Sequence, residues 1–212
     1  MYVPTMSIPE AIAEARADLP AVQNKLRAVI HEQERRHRKQ RRSGDLIDCR
    51  AYTSPAKNHW LCVTTTNKKH TLQNFLMPIH AREGFFGLQP SSEGLSFLFT
   101  PHFLMRYRDR SGTGAAAALD NLIAFFYRNP CTTAMRTGKE HLGFPAFIGA
   151  VPDGYVLGTL HYDEGYHRCR TFVSHEQAFP NQAEQWEGLA ALRELQFRYP
   201  KLFAQLKAGG GG

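Results

Sequence analysis

Apolar residues recur at helical spacing near the start of the chain and in short alternating runs through its middle. From Pro20 onward Val22, Leu26, Val29 and Ile30 fall at i, i+4, i+7 and i+8, which is one face of a helix. Ser7-Ile8-Pro9-Glu10 supplies its start, with Ser7 as N-cap and Pro9 in the first turn. Pro20 predicts a break or restart after Leu19, and Ser43-Gly44 predicts the end. Leu46 to Thr53 then alternates in part, with Ile47, Cys49 and Ala51 opposed to Asp48 and Arg50. A turn at residues 54–58 leads into His59 to Thr66, rich in β-formers, so the pair reads as a hairpin. Leu72 to Ile79 is a further strand, which Pro78 assigns to an edge. Residues 84–94 read as a loop, and Leu95 to Phe99 as a short apolar strand.

Thr100-Pro101 predicts a sharp helix start, Thr100 capping and Pro101 opening the first turn, with an end near Ser111-Gly112. Ala115 to Tyr127 is a more apolar helix stopped by Asn129-Pro130. Residues 131–145 read as irregular. Phe147 to Val151, Tyr155 to Tyr162 and His167 to Ser174 follow, separated by turns at 152–154 and 163–165, which predicts an antiparallel meander. A last helix covers Gln182 to Arg198, with Trp186, Leu189, Leu192 and Phe197 as packing residues. The sum is an α+β chain: an N-terminal helix and further helices packed on a mainly antiparallel β-sheet. Residues 1–44 read as a helical arm with a basic end, 45–206 as the α+β domain and 207–212 as a flexible Gly-rich tail.

Composition narrows the class. Of 212 residues 42% are hydrophobic and 21% charged, too apolar for general disorder. Fourteen Phe, eight Tyr and two Trp supply large side chains for a core. The four cysteines are far apart and form no C-x-x-C pair, so free thiols in a reducing compartment are expected. Neither an export signal nor a membrane span is visible, which makes the cytoplasm the expected location.

Charge adds a location. Six of the seven net positive charges sit between residues 35 and 42, on Arg35, Arg36, Arg38, Lys39, Arg41 and Arg42. A cluster of this kind suits phosphate contacts by counterion release, so these residues are expected to bind nucleic acid, RNA before DNA. A solvated helix end or a partner-docking arm is the plainer explanation of the same run.

The segment most suggestive of chemistry is Thr100 to Arg110. At about 100° per residue His102, Arg106 and Arg110 form one polar stripe, beside an arc of Phe103, Leu104 and Tyr107 that can anchor the helix. A histidine can move a proton to or from a ribose 2′-hydroxyl or the departing 5′-oxygen. Arginines one and two turns away can hold the scissile phosphate. Proximity of His102 to the helix start favours its neutral, base-competent form. The rival explanation is a surface helix whose arginines pair with Asp109 or other acids.

The His-x3-Arg-x3-Arg helix, followed by antiparallel strands ending in Cys169-Arg170-Thr171-Phe172-Val173-Ser174, resembles the barnase/RelE-like, toxin-type ribonuclease superfamily. That resemblance spans roughly residues 95–175. It implies helices on one antiparallel sheet and endoribonuclease action without metal or other cofactor. It also implies a protein inhibitor or antitoxin as partner. Position by position it covers His102, Arg106, Arg110 and Thr171. The alternative is a non-catalytic nucleic-acid-binding or regulatory protein that uses residues 35–42.

The meander adds Arg168 and Arg170, expected to bind substrate. They share parity, as do His167, Cys169 and Thr171, so a sheet face presenting the arginines turns Thr171 toward the core. A zinc site from His161, His167 and Cys169 is the rival use of this region, although the usual zinc-module spacings are absent. Lys68-Lys69-His70 reads as a solvated loop. Trp60 and Trp186 read as core. P-loop, dinucleotide and nucleophile-elbow motifs are absent.

Overall fold

The structure, a computed structural model, describes residues 1–39, 45–67, 71–92, 94–178 and 180–199, and only the backbone of Arg38 and of residues 180–185. Four helices and nine strands are seen among them: α1 (Ile8–Lys39), β1 (Leu46–Thr53), β2 (His59–Thr66), β3 (Thr71–Ala81), β4 (Gly84–Gln89), β5 (Ser96–Phe99), α2 (Pro101–Ser111), α3 (Ala118–Arg128), β6 (Thr133–His141), β7 (Phe144–Val151), β8 (Gly154–His161), β9 (Tyr166–Ser174) and α4 (Pro180–Arg198). The strands form one sheet in the order β1-β2-β3-β4-β5-β9-β8-β7-β6. Every pairing is antiparallel except β5 with β9. The fold is therefore α+β with a mainly antiparallel sheet.

A reciprocal capping box begins α1: the Ser7 amide and hydroxyl donate to the Glu10 carboxylate, and the Glu10 amide donates back to Ser7 Oγ. Pro20 does not break the helix, contrary to expectation. Ala11, Ile12, Ala15, Leu19, Val22, Leu26 and Ile30 run as one buried stripe through it, and continuous burial on the sheet outweighs one lost backbone hydrogen bond. Residues 8–39 thus contribute this stripe to the core over β2–β5. Asp18 fixes the contact. Ser54 Oγ (2.5 Å), Asn58 Nδ2 (2.9 Å) and Trp60 Nε1 (2.9 Å) all donate to its buried carboxylate. Burial pushes that carboxyl up, but these donors outweigh it and leave it below its ordinary range.

On the opposite face Phe99, Phe103, Tyr107, Phe125, Phe126 and Phe172 form an aromatic cluster that seats α2 and α3. A third, smaller core lies under α4, where Leu189 and Trp186 meet Ile148 and Tyr155. Leu192, expected to pack there, is 45% exposed because α4 turns it outward.

Three strand expectations change. Pro78 does not mark an edge: β3 lies between β2 and β4. Its pairing with β2 stops at Leu76, so the proline falls beyond that ladder and removes no bond from it. Residues 84–89, read as loop, form β4, whose two glycines hid its pattern; Gly87 leaves room for the Leu122 side chain of α3. Residues 133–141, read as irregular, form the edge strand β6, largely solvent-facing and hence without an apolar alternation to read. The segment 68–70 and the tail 207–212 lie outside the described residues. Among those described, no helix is long and apolar enough to cross a membrane.

Candidate functional site

At the end of β5 the chain leaves the sheet and α2 takes over the edge of β9. Thr100 makes the switch: its amide and its hydroxyl both donate to the Cys169 carbonyl (3.2 and 2.9 Å). The same hydroxyl accepts the Phe103 amide and so caps the helix, as the sequence predicts. Gly112, left-handed at φ 63°, ends it. Phe103, Leu104 and Tyr107 are buried, which fixes the rotation of α2 and turns His102, Arg106 and Arg110 toward the open β6–β9 surface.

These three side chains line one cleft of about 630 Å³ with Arg170 and Thr171 of β9. The far wall is β6, contributing Lys139, Glu140 and His141, and Trp186 of α4 closes one side. His102 is solvent-exposed and also lines an adjoining hollow with Glu83, Arg168 and Arg170. Arg106 Nε donates to His102 Nε2 at 3.4 Å, so Nε2 carries the lone pair and Nδ1 the proton in this arrangement. Arg110 reaches the backbone: its NH1 donates to the Phe172 carbonyl, on the edge of β9 that β5 no longer covers. Arg168 is paired with Glu83 at 2.9 Å.

Parity alone would have separated Arg170 from Thr171, yet both line the cleft. The cause is a bulge. Leu157 pairs with Thr171 and Gly158 with Cys169, which leaves Arg170 as an extra residue between them. Cys169 and Phe172 therefore both enter the aromatic core while the two residues between them turn to the cleft. Gly158 makes room for this: a Cβ there would lie 2.1 Å from the Arg168 carbonyl oxygen and 2.5 Å from the Phe147 ring.

The His161, His167 and Cys169 trio is dispersed. His161 pairs with Tyr166 and His167 with Leu160, so the two imidazoles face opposite sides of the sheet. His167 lies against Phe97 (centroids 4.5 Å, interplanar 10°) and burial pushes its pKa down to about 4. Cys169 is wholly buried, and burial pushes its thiol up. No group of three or more His, Cys, Asp or Glu side chains positioned for a metal ion occurs among the described residues. Tyr107 is buried with its hydroxyl donating to Asp153 Oδ2 at 2.7 Å, which burial and that acid combine to hold in its protonated form. Asn129 and Arg128 also donate to Asp153, so Tyr107 belongs to the scaffold of α2 and α3.

The basic segment lies elsewhere. The end of α1 sits over β1 and β2, where Gln33 reaches Asp48 and Thr64, at the far edge of the sheet from β6. Arg35 and Arg36 are exposed and both pair with Glu32 on their own helix, and Lys39 is exposed. The side chain of Arg38, and Arg41 and Arg42 entirely, lie outside what is described. Lys139, Glu140 and His141 were missed because their strand was; Gly143, in the two-residue turn Leu142-Gly143 that joins β6 to β7, was a sequence signal for that hairpin. Comparison with family models, curated proteins and solved structures gave no match.

Proposed function

We propose that the cleft between α2 and β6–β9 is the active site of a metal-independent endoribonuclease. The observation that carries this reading is the convergence of an exposed histidine with Arg106, Arg110, Lys139 and Arg170 around one cavity, against a single carboxylate, Glu140. Four cations around one proton-transferring imidazole suit an anionic phosphodiester.

In this reading His102 Nε2 takes the proton of a ribose 2′-hydroxyl as O2′ attacks the adjacent phosphorus. The P–O5′ bond breaks, giving a 2′,3′-cyclic phosphate and a 5′-hydroxyl. The departing 5′-oxygen takes its proton from solvent or from the β6 wall, where Glu140 and His141 stand. Arg106 and Arg170 hold the phosphate oxygens as charge builds on them. The carbonyl bond of Arg110 uses one amino group and leaves its remaining N–H groups for the cleft.

The test is incubation of the purified chain with RNA in EDTA beside a His102→Ala variant. Cleavage by the native chain, reduced about 100-fold or more in the variant, is the expected result. RNA intact with both, or cut equally by both, overturns the reading; RNA bound but intact leaves a binding protein.

A further inference from the structure

One row of the sheet beside the cleft carries a ring on each strand. Tyr166 of β9 stacks on His161 of β8 (centroids 4.7 Å, interplanar 6°), and His161 stacks on Phe144 of β7 (4.0 Å, 26°). His141 of β6 pairs in register with Phe144 and continues the row. The inner end is anchored, since Tyr166 is buried in the core under α1. The outer end is not. Phe144 is 39% exposed, Tyr162 in the turn after His161 53%, and Leu142 at the hairpin tip 71%. Leu142 occupies a left-handed turn position (φ 54°) that asparagine or glycine adopts with less strain.

An exposed apolar patch at the rim of a cationic cleft calls for an occupant that is both flat and anionic. An unpaired nucleotide supplies both, its base meeting the rings while its phosphate meets Arg170 and Lys139. A base held in a duplex has both faces covered by its neighbours.

We infer that the Tyr166–His161–Phe144 row, ending at His141, is a stacking platform for an unpaired nucleobase, which makes single-stranded RNA the substrate class of the cleft. The inference rests on reading the cleft as an RNA site, but not on cleavage. The ring stack holds Phe144 in place while leaving it 39% exposed, so the platform is formed before the base arrives.

The experiment measures binding, with His102→Ala as the host so that RNA survives. A single-stranded oligonucleotide containing 2-aminopurine reports stacking by loss of fluorescence, and a hairpin of the same composition, its stem closed by a non-nucleotide linker, serves as the paired control. The host should quench the single strand and bind it more tightly than the hairpin. Phe144→Ala and Phe144→Leu should each weaken single-strand binding roughly 5- to 150-fold and abolish quenching, the range one base on one ring supplies. Phe144→Trp should preserve both. Phe144→Leu keeps the apolar volume, so a loss shared by it and Phe144→Ala at unchanged melting temperature belongs to the ring. Equal affinity for hairpin and single strand, or undiminished quenching in both ringless variants, overturns the platform. Native protein that binds and quenches in this pattern yet leaves RNA uncut keeps the platform and removes only the nuclease.

Discussion

The guanidinium of Arg110 donates to the main-chain carbonyl of Phe172, a group on the β9 edge beyond the reach of β5. An edge carbonyl beside a packed helix has few other partners, so this residue both faces the cleft and closes the sheet.

Arg110→Ala should therefore lower stability by about 1–3 kcal/mol, the cost of leaving such a group unsatisfied. Arg106→Ala, one turn earlier and bonded only to an exposed imidazole, should stay within about 0.5 kcal/mol. Urea melts of the two variants check this. Equal stability of both would mean that the carbonyl bond contributes nothing.

His167 sets an acid limit. Burial lowers its pKa from 6.5 to about 4, while a hydrogen bond with the Ser96 backbone pulls weakly the other way. The unfolded chain thus binds the extra proton throughout that interval and the folded chain does not. Stability from this residue is complete above about pH 6.5 and falls as pH drops toward 4. The loss amounts to at most about 3 kcal/mol, less for the part of the ring that still meets solvent. His167→Phe keeps the stack on Phe97 and should flatten the stability profile between pH 4 and 6.5. Parallel profiles for the two proteins would exclude the residue as the source.

Gly158→Ala tests the bulge. Its new methyl would meet the Arg168 carbonyl, so the strands must part or the bulge must shift. The expected cost is about 1–3 kcal/mol. Because Arg170 owes its direction to the bulge, the RNA affinity proposed for the cleft should fall as well. A variant of native stability and affinity would show that the strand tolerates a second arrangement.

What the chain disclosed in advance follows from where each signal lives. Thr100, Pro101 and Gly112 act within one turn of their own positions, so α2 could be read residue by residue, and with it the shared direction of His102, Arg106 and Arg110. The bulge at Arg170 depends on a glycine twelve positions earlier on another strand. No alternation along β9 alone reports it. β6 escaped because an edge strand facing solvent has no apolar face to repeat, and β4 because its partners, not its own side chains, make it a strand. Pro20 looked like a stop because its local cost is visible in sequence, whereas the sheet that outweighs it is not.

The two runs of antiparallel strands meet at one parallel seam, where residues 96–99 lie against 166–169. A chain emerging from the ribosome can complete β1–β5 early, and even form α2, while that seam still lacks its second half. The cleft then has a helix for one wall and nothing opposite. Its second wall arrives only with the last strands, and Trp186 of α4 follows them, so the cleft cannot be complete until translation has passed residue 186.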